Sequence, residues 1–147
     1  MNGSAEGVEA RIVVGVDGSE GSRHALGWAA RQAGFTGAVV EAVIAWQYPV
    51  FFGWAPPFPD GTDFADCALQ TLGKVLEEEF GPERPAWLHT CVVEGNASRV
   101  LVDASAGAEL LVVGSRGYGA FTDALLGSVS TYCVHHAHGP VTVIRPA

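Results

Sequence analysis

Lysine is nearly missing from these 147 residues: Lys74 is the one copy, and the eight basic side chains face 16 acidic ones for a formal net charge of −8. No basic stripe exists to neutralise a run of phosphates, which argues against DNA or RNA as a partner. Cysteine is scarce too. Cys67, Cys91 and Cys133 are odd in number and lack paired or metal-ligand spacing, which suits free thiols in a reducing compartment and makes the cytoplasm the expected location. Long uninterrupted apolar runs are also lacking. The most apolar stretch, residues 38–55, carries Glu41, Gln47 and Pro49 and reads as a buried strand followed by a loop, so a soluble protein with no membrane partner is expected. Residues 1–10 are small, polar and acidic, without the basic-then-apolar order of a signal peptide, and read as a short disordered lead to one domain over residues 11–147. No Gly-x4-Gly-Lys-Ser/Thr occurs, which excludes a P-loop. Gly15, Gly18 and Gly21 do not have the Gly-x-Gly-x-x-Gly spacing, and Asp17 sits where a pyrophosphate would have to approach.

What is present is a packed-core composition, 48% hydrophobic and 16% charged, arranged in alternating patterns. Residues 11–16 form a β-branched run that ends in Asp17-Gly18-Ser19, and Ala25, Leu26, Ala29 and Ala33 then fall on one helical stripe. Ser19 or Ser22 is the expected N-cap, with Gly34 and Gly37 ending the helix before a second strand over residues 38–46. Ala65, Ala68, Leu69, Leu72, Val75 and Leu76 mark the apolar face of a second helix, stopped by Gly81 and Pro82. A third strand is expected over residues 87–94 and a third helix on Ala97, Val100, Leu101 and Ala104. A fourth strand at 109–113, a fourth helix and a final strand at 140–145 complete the pattern. Strands alternating with helices predict an α/β fold, an open five-stranded parallel sheet with right-handed crossovers and helices on both faces. In such sheets ligands bind beyond the carboxyl ends of the strands, where strand order reverses.

Two strand ends stand out. Gly114-Ser115-Arg116-Gly117 follows the fourth strand and leads into a helix opening near Gly127-Ser128-Val129-Ser130. Glycine permits close backbone approach, successive N–H groups can form a nest, and a helix N-terminus offers unpaired donors and partial positive charge, so phosphate oxygens suit both ends. Arg116 adds a charge, and Ser128 and Ser130 add hydroxyls. On composition alone a plain loop with an ordinary serine cap explains the segment equally well. At the first strand's end, Asp17 can accept hydrogen bonds from ribose hydroxyls, but a simple turn residue ahead of Gly18 is the plainer reading of the residue by itself.

The spacing Gly114-x2-Gly117-x9-Gly127-Ser128 resembles the Gly-x2-Gly-x9-Gly-Ser/Thr signature of ATP-binding universal stress proteins. Residues 13–19, Ala45-Trp46, Leu111-Val112-Val113 and residues 138–145 resemble the same family in the same order, over nearly the whole of 11–146. The resemblance implies a Rossmann-like adenine nucleotide alpha hydrolase-like sheet of order 3-2-1-4-5. It implies nucleoside contacts at Asp17 and the Trp46 backbone, and ribose and phosphate contacts at Val113, Gly114, Gly117, Gly127, Ser128, Val129 and Ser130, to which the charge of Arg116 is added as a candidate from the residues themselves. The implied ligand is ATP, with or without Mg2+. It also implies a homodimer through Val141, Thr142, Val143 and Ile144, an edge strand whose unpaired main chain is a template for pairing.

Other clusters read structurally. His135, His136 and His138 lack a converging metal spacing and suit a last helical turn, and Glu77-Glu78-Glu79 is a solvated helix face. The loop over residues 48–58 is too apolar for a solvated connection, and it can fold over the adenine side, meet a second subunit, dock a partner or tuck onto its own domain. With no general base or nucleophile to name beside the phosphates, the expected function is a regulatory nucleotide-binding stress-response protein with no catalytic residues. The alternatives are a slow ATPase or nucleotidyl-transfer enzyme using Asp17 or Ser128 with magnesium, a cyclic-AMP-binding member of the same family, or an interaction module working through the aromatic loop.

Overall fold

The computed structural model describes residues 9–48, 61–116 and 126–146. Most of the expected lead at 1–10, the loop at 48–58 beyond Tyr48, and Gly117 lie outside the described residues. The elements run β1 (Arg11–Gly15), α1 (Glu20–Thr36), β2 (Val39–Trp46), α2 (Phe64–Phe80), β3 (Leu88–Glu94), α3 (Ala97–Ala104), β4 (Leu110–Gly114), α4 (Ser128–His136) and β5 (Val141–Ile144). All pairings are parallel, in the order β3-β2-β1-β4-β5. The expected α/β architecture and strand order are those observed.

Side-chain alternation explains the layers. Ile12, Val14 and Val112 point to one face, where they meet Leu26, Ala29, Leu72 and Val75 of α1 and α2. Val13, Leu111 and Val113 point to the other, where they meet Val100, Leu101 and Cys133 of α3 and α4. β1 is therefore buried on both faces, as a central parallel strand must be.

The local signals act as read, with small corrections. Ser19, not Ser22, caps α1, its Oγ accepting the Ser22 amide at 3.2 Å. Gly34 stays inside the helix, which ends at Gly37 with φ 78°, a left-handed position that glycine occupies without steric cost. Gly81 ends α2 at φ 83°. Leu69 was expected on the buried stripe of α2 but is 56% exposed, because the stripe centres on Leu72 and Leu76 and leaves Leu69 at its rim. In α3 the buried set widens to include Val102, since that helix packs on the sheet and also on α4.

Arg11 ties α3 to the sheet. Its Nη1 donates to the Ala104 carbonyl at 2.7 Å and its Nη2 to the Ala106 carbonyl at 2.6 Å, so one guanidinium fork covers the carbonyl-rich end of the helix. No helix among the described residues is long and apolar enough to cross a membrane.

Candidate functional site

Strand order reverses between β1 and β4, which are direct neighbours, so the residues leaving those two strands share one sheet edge. On the β1 side the chain makes a tight turn. Asp17 Oδ1 accepts the Ser19 amide at 2.8 Å, Gly18 sits at φ 87°, and the Asp17 amide donates to Ser22 Oγ at 3.2 Å. Asp17 thus serves as a turn residue, and its position at the strand end is also the one a ribose-binding carboxylate needs.

On the β4 side the first motif glycine has a packing duty. A Cβ on Gly114 would lie 2.9 Å from both the carbonyl carbon and the oxygen of Gly21, and 3.3 Å from the Ser22 amide. Reciprocally, a Cβ on Gly21 would meet the Arg116 carbonyl oxygen at 2.5 Å. The pair lets the first turn of α1 press directly on the exit of β4. Val113, 3% exposed, is a core residue on the α3 and α4 face, so its side chain is closed to a ligand. Arg116 is half-buried just beyond the strand.

Ser115 then joins three elements. Its amide donates to the Ile144 carbonyl at the end of β5 at 2.8 Å, and its carbonyl accepts the Gly127 amide at 2.6 Å and Ser130 Oγ at 3.0 Å. The opening of α4 is thereby fixed beside β4. Gly127 is its N-cap, with φ −75° and ψ 172°, and supplies no side-chain capping bond; the helical ladder begins with the Thr131 amide on the Gly127 carbonyl at 3.0 Å. The first-turn N–H groups of a helix have no intrahelical partner, and a glycine cap leaves that end accessible to an external acceptor.

The serines of the motif divide. Ser128 is exposed at the mouth of the helix, whereas Ser130 is 2% exposed and directs its hydroxyl to the Ser115 and Gly127 carbonyls at 3.0 and 3.1 Å. Val129 packs partly on the α3 and α4 core. Trp46 ends β2, on the far side of β1 from β4; its carbonyl accepts the Gly95 amide at 2.7 Å, and its ring meets Tyr48 edge-on at 5.2 Å. Asp17, Gly114 and Arg116 are therefore brought to one edge with Gly127–Ser130, and Trp46 flanks them.

Gly21, Ser22 and Ser115 were missed as site-shaping residues. Their roles lie in main-chain contacts across the fold, and only the exact repeat of small residues at both turns hints at them. His135 and His136 fall in the exposed last turn of α4, where His136 stacks on Tyr132 at 4.0 Å with Nδ1 3.0 Å from the Tyr132 carbonyl. Cys133, fully buried under the same helix, has its thiol pushed up to about 11 by desolvation.

The chain as a whole matches a known family. The model of the Universal stress protein family matches residues 10–145. The chain belongs to that family. It is 37% identical over 143 residues to a universal stress protein of Mycolicibacterium smegmatis, covering 91% of this chain and 47% of that protein. It is 35% identical over 139 residues to the Mycobacterium tuberculosis Universal stress protein Rv2623, with the same coverages of 91% and 47%. The chain thus spans about half the length of the curated relatives it matches. Among solved structures, universal stress protein UspA from Lactobacillus plantarum superposes with a TM-score of 0.72 at 21% identity, over 92% of this chain and 97% of that one. A universal stress protein solved with cAMP superposes at 0.65 and 23% identity, over 92% and 95% of the two chains. The Archaeoglobus fulgidus member solved with dAMP superposes at 0.59 and 24%, over 93% and 98%. These likenesses establish the fold.

Proposed function

We propose that the chain binds an adenine nucleotide at the carboxyl ends of β1 and β4 and acts as a stress-response regulator without a catalytic role. The observation that carries the reading is the glycine-capped N-terminus of α4, held by Ser115 beside the exit of β4 at the sheet's switch point. Phosphate oxygens suit the amides of Ser128, Val129 and Ser130 and the Ser128 hydroxyl, with Arg116 on the approach and Gly117 a further candidate from the motif spacing alone. Asp17 takes the ribose hydroxyls, and the Trp46 backbone with Val113 and Gly114 bounds the adenosine. That two structures of this fold hold cAMP and dAMP supports an adenosine monophosphate core as the recognised unit.

ATP is the proposed physiological ligand, with Mg2+ arriving on the triphosphate. A second reading, cyclic AMP as the preferred ligand, draws on the cAMP-bound neighbour. Any hydrolysis is expected to be slow, because this reading names no general base or nucleophile beside the phosphates. The exposed edge position of β5 supports self-association through Val141, Thr142, Val143 and Ile144, and the free cysteines support a cytoplasmic setting.

Isothermal titration calorimetry with ATP, AMP and cyclic AMP, each with magnesium, tests the proposal. Saturable binding of at least one, displaced by the others, is expected, and their order separates ATP from cyclic AMP. No heat from any of the three at millimolar ligand sinks the reading.

A further inference from the structure

A second cavity lies on the opposite face of the sheet from α4, between α1 and the end of β5, with a volume of about 340 Å³. Arg23, Arg31 and Arg145 line it together with His24 and Trp28, which places three of the eight basic residues of a −8 chain around one hollow. Their charges are not equally spent. Arg23 pairs with Glu78, and His24 Nε2 lies 4.0 Å from Glu20. Among the described residues the side chains of Arg31 and Arg145 make no ion pair or hydrogen bond.

Gly27 shapes the floor. Where its Cβ would stand, Arg31 Nη1 lies at 3.6 Å, an ordinary contact distance, so the Arg31 guanidinium lies directly over this position. Trp28 is half-buried against the core and gives the hollow a rigid wall. Glu79 shares the lining and repels anions on its side, so attraction is concentrated at Arg31 and Arg145.

We infer that this cavity is a binding site for a small polyanion, a molecule carrying at least two phosphate or carboxylate groups. Two uncompensated guanidinium forks from separate elements each favour bidentate pairing with a planar or tetrahedral oxyanion, and a guest with one anionic group satisfies only one of them. At about 340 Å³ the hollow is at the small end of ligand pockets, roughly 300–1,000 Å³, which favours a small molecule over a folded segment. None of its lining residues belongs to the nucleotide site, so the two sites are separable.

The test is a low-salt titration of the 15N-labelled full chain with pyrophosphate and, separately, with citrate, following the Gly27 amide and the Trp28 indole N–H. Saturating shifts at both probes are expected with at least one ligand; pyrophosphate alone points to phosphate guests and citrate alone to carboxylates. Arg31→Gln/Arg145→Gln, at exposed positions, is expected to weaken that binding about tenfold or more. Lys74→Gln, which removes an exposed charge outside the hollow, should leave it unchanged. Shifts confined to Ser128 and Ser130, an unmoved Gly27 and Trp28 at millimolar ligand, or full affinity in the double variant would each overturn the proposal. None of these results bears on whether ATP binds at α4.

Discussion

Replacing Gly114 with alanine separates the packing role of the motif from its ligand role. The new Cβ would stand 2.9 Å from the Gly21 carbonyl carbon and oxygen and 3.3 Å from the Ser22 amide, where favourable carbon contacts begin near ~3.5 Å. The obstacles are main chain, not the free end of a side chain. They belong to the first turn of α1, pinned by the Ser19 cap, the Asp17 turn and the approach of Gly21 to the Arg116 carbonyl. Relief therefore requires the helix to lift from β4 by about half an ångström, and overpacking of this kind costs about 1–3 kcal/mol.

For a domain of this size each kcal/mol moves Tm by roughly 2–4 °C, so a fall of roughly 2–12 °C is expected. Gly34→Ala is the internal control. Nothing lies within 4 Å of a Cβ there and the residue is inside α1, so alanine should stabilise by about 0.5–1 kcal/mol. Urea unfolding by circular dichroism reads both changes. If Gly114→Ala unfolds at or above the wild-type midpoint with an unchanged m-value, the close contact of α1 with β4 does not exist, and the packing role assigned to Gly114 is wrong.

Gly127→Val should still fold, since φ −75° is open to any residue, at a cost of about 1 kcal/mol because valine is a poorer N-cap than glycine, yet lose nucleotide affinity at least about tenfold because the side chain crowds the mouth of α4; calorimetry and a melt on one sample check both halves. Ser130→Ala should cost about 1 kcal/mol of stability by removing the hydroxyl held on the Ser115 and Gly127 carbonyls, whereas exposed Ser128→Ala should change stability by less than about 0.5 kcal/mol and weaken nucleotide binding. Arg11→Lys keeps the charge but cannot reproduce the two-pronged contact with Ala104 and Ala106, and a loss of about 1–2 kcal/mol in urea unfolding is expected. At pH 8.5 a thiol reagent should modify exposed Cys67 readily and leave Cys133 intact until urea unfolds the domain, because burial raises the Cys133 thiol to about 11 and blocks access; mass spectrometry of a proteolytic digest reads each site.

The fold was legible in the sequence because its signals are local. Two-residue alternation through Ile12, Val13 and Val14, helical stripes such as Ala25 to Ala33, and glycines at 37 and 81 each act within a few positions, and parallel pairing follows from the alternation of elements, whereas the strand order comes from the family resemblance. Leu69 escaped because the width of a buried stripe depends on what the helix meets. The candidate site was legible as a set of positions but not as a division of labour. Gly114 against Gly21, and Ser130 on Ser115, are contacts between residues distant in the chain, and no spacing rule distinguishes a glycine that admits a ligand from one that admits a helix.

That division changes what the motif implies. Its first glycine seats α1 on β4, and Ser130, two residues past its end, locks α4 to the same strand through Ser115, whose amide in turn holds the end of β5. A ligand drawing on the amides of Ser128 through Ser130 would therefore act beside groups bonded to Ser115, the residue that also holds the edge strand. Small displacements at the mouth of α4 have a direct hydrogen-bonded route, two bonds long, from Gly127 through Ser115 to Ile144. A regulator needs such a route, whereas an enzyme needs a positioned base. If nucleotide addition leaves amide exchange at Ser115 and along Val141–Ile144 unchanged while binding is saturated, that route carries no signal, and regulation must pass through another surface.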